Sequence, residues 1–237
     1  MEISKNYFKS LAKTVVFSAA LAVVLSACSK SNVDYPQVSA GQVALFHAST
    51  NAPELSVYTN GSRANLPGFS YSKGFGYLGA VPGKIEFGIT KTTDQVAIAK
   101  KVVTVESLKS YTLFVVDSLQ TSTLVYTIDD LASPAADKAK IRFINLSADA
   151  GSLDLNINGQ PTVLFAKQDF KVVSQYVDVV PNDTYTFEVK ATGTAPVLAS
   201  LPATKIEKGK IYTVYLRGLK SAAAAPNNLT VGVITNR

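Results

Sequence analysis

Ile141-Arg142-Phe143-Ile144-Asn145-Leu146-Ser147-Ala148-Asp149-Ala150-Gly151-Ser152-Leu153-Asp154-Leu155-Asn156-Ile157-Asn158-Gly159 restates, 98 positions on, Val43-Ala44-Leu45-Phe46-His47-Ala48-Ser49-Thr50-Asn51-Ala52-Pro53-Glu54-Leu55-Ser56-Val57-Tyr58-Thr59-Asn60-Gly61. Each reads as a strand, a Ser-centred turn, a second strand and an Asn-Gly turn. The register continues with Tyr77 to Pro82 against Tyr176 to Pro181, and then with Val105 to Thr112 against Ile206 to Thr213. The offset grows by three over about 100 residues, a drift that loops in a duplicated domain tolerate. The chain is therefore read as two tandem copies of one domain.

Within each copy the hydrophobic period is two. Ile85, Phe87 and Ile89 alternate with Lys84, Glu86 and Gly88, and Tyr185, Phe187 and Val189 alternate with Thr184, Thr186 and Glu188. That alternation marks strands with one buried face. Further β-branched runs lie at 96–105, 111–116, 124–128, 172–180, 211–216 and 229–234, and no amphipathic helix interrupts them. The expected fold is all-β: two tandem β-sandwich domains of immunoglobulin-like or transthyretin-like architecture. The expected organisation is a signal peptide at 1–27, a tether at 28–40, sandwiches at 41–130 and 138–237, and a linker at 131–137. The linker is short and rich in Ala and Pro, which predicts end-to-end stacking.

Residues 1–14 carry Lys5, Lys9 and Lys13 against Glu2, and an uncharged apolar run follows from Val15 to Leu25. As a helix this run would span only about 16 Å, short of the roughly 30 Å hydrocarbon core. It reads as a cleavable signal rather than a membrane span. Leu25-Ser26-Ala27-Cys28 resembles the bacterial lipobox, which implies acylation of Cys28 and anchoring to a membrane. Cys28 is also the chain's one cysteine. The implied location is the cell envelope, at the outer membrane, with the periplasmic or surface face left open.

The sequence has 237 residues, is 47% hydrophobic and 17% charged, and carries a formal charge of +6. It is too apolar for a disordered chain. Losing residues 1–27, with their three lysines and one glutamate, leaves +4. One cysteine and one histidine exclude a disulfide framework and the Cys or His sets of most zinc sites. No basic cluster is interleaved with aromatics, so nucleic acid is not an expected partner. No cofactor is expected.

The strand Ile141 to Ala150, with Leu153-Asp154-Leu155, the Asn158-Gly159 turn and Tyr176 before Val180-Pro181, resembles the domain of unknown function 4397 family. The resemblance covers residues 41–237. The first copy departs from the pattern, with His47 in place of Asn and Ser56 in place of Asp. The resemblance implies tandem sandwiches behind a lipoprotein signal, and it supplies no activity.

Several motifs invite chemistry. Gly74-Phe75-Gly76-Tyr77-Leu78-Gly79 matches G-x-G-x-x-G, but it leads into a strand and its counterpart from Phe170 to Val179 has no glycine, so it is read as a decoy. His47 is the only imidazole, and Asn in the second copy points to a hydrogen-bonding role at a strand end. Asp129-Asp130 reads as the start of the linker. Asp149 and Asp154, with Asn145 and Asn158, lack the spacing of a calcium loop. The aromatic stretch from Phe69 to Tyr77 offers Tyr71 and Phe75 as a stacking platform for sugar rings or an edge for a peptide strand, with Tyr77 assigned to the core.

The expected function is a non-enzymatic, lipid-anchored structural or binding module for a polysaccharide or an envelope protein. The alternative is an envelope hydrolase, which requires His47 or a carboxylate pair in a cleft between the domains.

Overall fold

A computed structural model describes residues 39–64 and 66–237. The signal peptide, Cys28 and nearly all of the tether lie outside the described residues. All described strands belong to one compact unit, Val38–Arg237.

The first half contains β1 (Gly41–His47), β2 (Leu55–Thr59), β3 (Ser62–Arg63), β4 (Gly74–Ala80), β5 (Gly83–Lys91), β6 (Ala97–Val105), β7 (Ser110–Val116) and β8 (Thr123–Asp129). The second contains β9 (Ala139–Asn145), β10 (Leu153–Ile157), β11 (Val163–Gln168), β12 (Val177–Val179), β13 (Asn182–Ala191), β14 (Val197–Ile206), β15 (Ile211–Arg217) and β16 (Thr230–Thr235). Sheets run β4-β1-β7-β8 and β3-β2-β5-β6 in the first half, β12-β9-β15-β16 and β11-β10-β13-β14 in the second. The two halves repeat one topology strand for strand. The all-β sandwich expected from the alternation is the fold observed.

Each half has its own core between its two sheets. Val43, Leu45, Val57, Phe87, Ile89 and Leu113 meet in the first, and Ile141, Phe143, Leu155, Phe187, Val189 and Val214 in the second. The expected strand at 172–180 is reduced to Val177–Val179. Upstream of it the Ser174 hydroxyl accepts the Phe143 N–H at 2.8 Å, so a side chain takes the place of a ladder carbonyl.

The halves do not stack end to end. A third apolar cluster joins Phe46, Ala48, Phe114 and Val116 of the first half to Ile144, Leu146 and Tyr215 of the second, with the Phe46 and Tyr215 rings 4.7 Å apart. These side chains leave β1, β7, β9 and β15 on the face opposite each half's own core, so the β1 and β9 sheets pack broadside. The inner strands β1, β7, β9 and β15 are therefore covered on both faces, and β7 is buried at every residue. β1 pairs with β7, and β9 with β15, in parallel. Ser-Tyr-Thr-Leu-Phe-Val-Val in β7 lacks alternation for this reason, as doubly covered strands do. The linker is held down as well: Arg237 Nη1 donates to the Leu131 carbonyl at 2.6 Å, and Lys140 Nζ to the Ala132 carbonyl at 3.0 Å.

Candidate functional site

The faces that meet between the halves carry a buried polar cluster. Arg142, on β9, is 1% exposed, and its Nη2 lies 2.7 Å from Asp129 Oδ1 on β8. Its Nε donates to Thr213 Oγ1 at 2.9 Å, its Nη1 to Thr127 Oγ1 at 3.1 Å, and its guanidinium lies 4.7 Å from the Tyr176 ring centre. The other carboxylate oxygen of Asp129 accepts from Thr112 Oγ1 at 2.5 Å and from the Tyr77 hydroxyl at 2.7 Å. Asn236 Nδ2 closes the cluster, donating to the Tyr77 oxygen at 3.0 Å. Burial, reinforced by the Asp129 charge, raises the Tyr77 hydroxyl above its usual range, and burial lifts Tyr176 to about 12. Both phenols stay neutral at physiological pH.

Asp129 therefore does not open the linker; it is the counter-ion of a buried arginine. Tyr77 is likewise not a simple core residue, because its hydroxyl belongs to this cluster. Arg142 lies in the opening strand of the second copy, and nothing in the spacing links it to Asp129. The available signal was one arginine in a run otherwise free of charge, which demands a buried partner.

The positions of the cluster repeat between the halves, but the residue types do not all match. Tyr77 corresponds to Tyr176, Thr112 to Thr213, and Asp129 to Asn236, each of the last two standing beside the residue before the strand tyrosine. Ala44 holds the place of Arg142, since each pairs with the matching threonine. A cavity of about 260 Å³ lies beside Ala44, Tyr77, Thr112 and Asn236, where a second arginine would otherwise sit.

His47 is 0% exposed at the end of β1. Its Nδ1 accepts the Ser49 N–H at 3.2 Å, as Asn145 Oδ1 accepts the Ser147 N–H at 3.0 Å. The imidazole also faces the Pro53 carbonyl, and Asn145 Nδ2 donates at 2.9 Å to Gly151, the equivalent position. Burial pushes the imidazole down to about 4, with the Pro53 carbonyl opposing. It is a neutral turn-former sealed from solvent.

Tyr71 and Phe75 do not form an exposed pair. Phe75 packs against Phe69 at 5.2 Å and against the first core, while Tyr71 lies edge-on to His47 at 5.9 Å with the Arg217 guanidinium 4.8 Å from its ring centre. Both rings are half-buried and engaged within the molecule. The glycine motif around them is strand β4; a Cβ on Gly74 would lie 2.7 Å from the Leu45 carbonyl, so glycine there allows β4 to approach β1.

The remaining carboxylates hold loops. Burial works to raise Asp149, yet the backbone N–H groups of Ser221 and Lys220 hold it below the usual range. Asp154 behaves alike, with N–H donors from Lys167 and Gly193. No group of three or more metal-type ligands occurs among the described residues.

One ligand-sized opening is apolar. A cleft of about 460 Å³ runs between the two sheets of the first half, lined by Val43, Leu45, Val57, Leu66, Ile85 and Phe87, with Leu78 and Val81 at its rim. Leu78 pairs with Val43 and so faces the core side of β4, yet it is 40% exposed. The cause is the short β3. Asn60 (φ 49°) and Gly61 (φ 79°) turn the chain in two residues, and the backbone leaves β2 after the Ala64 N–H bonds Val57, returning to it only where Phe69 and Leu55 exchange both N–H bonds. Pro67, with no N–H, cannot continue the ladder. In the second half β11 runs on to Gln168, and Phe165, buried opposite Leu155, fills the matching space.

No curated protein matches the sequence. Among solved structures, a streptococcal virulence factor described by its α-glucan binding is 14% identical, with 79% of this chain and 97% of that one covered at a TM-score of 0.26. The Bacillus anthracis TIE protein is 11% identical, with coverages of 83% and 44% and a TM-score of 0.24. A protein named for cell adhesion from Bacteroides uniformis is 9% identical, with coverages of 84% and 99% and a TM-score of 0.23. At such scores the likeness carries no argument about function. By sequence, residues 41–156, which build the first sandwich and open the second, match the family described as a domain of unknown function, DUF4397.

Proposed function

We propose that this chain is a non-enzymatic binding module of the bacterial cell envelope, held at the outer membrane by acyl chains on Cys28, with its ligand site in the apolar cleft of the first sandwich. The open cleft is the observation that carries this reading: apolar side chains that a closed sandwich would bury stand at its rim. The ionisable groups a hydrolase would need are engaged elsewhere, His47 in a turn and Asp129 with Arg142. A polysaccharide or envelope-protein partner would engage this site through its apolar parts.

The test uses the mature chain, residues 28–237, made without acylation and titrated with the neutral fluorophore N-phenyl-1-naphthylamine. Saturable binding at one site is expected, and Leu78→Glu abolishes it by placing a charge in the mouth. No saturation, or an unchanged isotherm in the variant, overturns the reading. The anchor is tested separately by protease shaving of intact cells, where Cys28→Ala should release the protein from the membrane.

A further inference from the structure

The lining of the first-half cleft selects among apolar ligands. Its walls are aliphatic apart from Phe87, and its polar neighbours Thr59 and Asn60 lie at the hairpin turn rather than in the core. Such walls hold no buried polar side chain to orient a sugar ring. Lys84 is the one charged residue in the lining, and Glu86, next on the same face of β5, is paired with Lys100. The volume, about 460 Å³, suits a small-molecule site.

The cleft also lies where the chain enters the fold. Gly41, at the start of β1, pairs with Ala80 on the cleft rim. The segment from Cys28 to Ser39 reaches at most about 40 Å when extended. An acylated Cys28 thus keeps the mouth close to a bilayer, where single-chain amphiphiles concentrate.

We propose that this cleft takes the aliphatic chain of a free long-chain fatty acid, with the carboxylate at the Lys84 side of the mouth. The proposal rests on the reading of the cleft as the ligand site and names the class of ligand.

The experiment displaces N-phenyl-1-naphthylamine from the unacylated mature chain with octanoate, decanoate, dodecanoate and tetradecanoate, each below its micellar concentration. Each added CH₂ should tighten binding about fourfold until the cleft is full. Lys84→Gln, at an exposed position, should weaken the whole series by up to about fivefold without changing its slope. Dodecanol should bind wild type as dodecanoate binds Lys84→Gln. A dissociation constant independent of chain length, or dodecanol binding as tightly as dodecanoate, overturns the fatty-acid assignment while fluorophore binding leaves the ligand site standing. If the fluorophore itself does not bind, both fall together.

Discussion

The two halves share a strand order and differ in one edge. In the first, β3 ends at Arg63, the chain rejoins β2 only at the Leu55–Phe69 bridge, and the core lies open beside β4; in the second, β11 extends to Gln168 and Phe165 closes the same space. The junction shows a second difference of the same kind, with Arg142 filling a slot on one side and Ala44 leaving it open on the other. A duplicated fold thus keeps its ladders while single residues and edge lengths decide which half is sealed. That division follows from the physics of sheets, since ladders are fixed by backbone pairing and cavities by the side chains and edges around them.

The largest effect is expected at the asymmetric junction. Arg142→Ala strands the buried Asp129 carboxylate and should cost about 4 kcal/mol in urea denaturation. Pairing Arg142→Met with Asp129→Leu should recover most of that loss, because neither charge is then left buried alone. Equal losses in the single and double variants would show that packing, not charge pairing, holds the halves together.

Phe165→Ala should make the second half resemble the first. It should cost about 3 kcal/mol through the cavity it leaves, and it should create a second fluorophore site in the same titration. Loss of stability without new binding would show that an open edge alone does not make a ligand site.

His47→Asn converts the first half's turn to the second half's. The imidazole titrates near 4 in the folded chain against 6.5 when free, so the unfolded chain binds the extra proton. Its contribution is fully present above about pH 6.5 and is lost as the pH falls toward 4, about 2.5 kcal/mol between pH 7 and pH 4.5. The variant should remove that slope while changing stability little at pH 7, since the Asn145 amide oxygen accepts the equivalent turn N–H. Denaturation at the two pH values measures both.

The smallest effect is expected on the outer face. Lys100→Ala breaks a 3.2 Å pair with Glu86 in which both side chains are largely exposed. The melting curve should move by no more than about 0.5 kcal/mol.

Alternation in Lys84-Ile85-Glu86-Phe87 marks a strand because one of its faces is wet, and the repeat was legible because both copies keep their turns and strand tyrosines. His47 was legible for the same reason, since Asn145 supplied the comparison. The candidate cleft was not. Its walls are ordinary core residues, and their exposure depends on a strand that stops early near Pro67, not on any residue type that signals binding. Tyr71 and Phe75 stood out as aromatics set among serines and glycines, but packing against His47, Arg217 and Phe69 draws both rings inward.

By itself, the sequence determined the all-β class, the repeated strand order and the positions of the turns, because period-two patterning and Asn-Gly or Pro-Gly chemistry act locally along the chain. Only the tertiary structure decided that the halves lie broadside, that Arg142 meets Asp129 across them and that one core is open. Those outcomes depend on which faces of distant strands find each other and on what is left uncovered once they do.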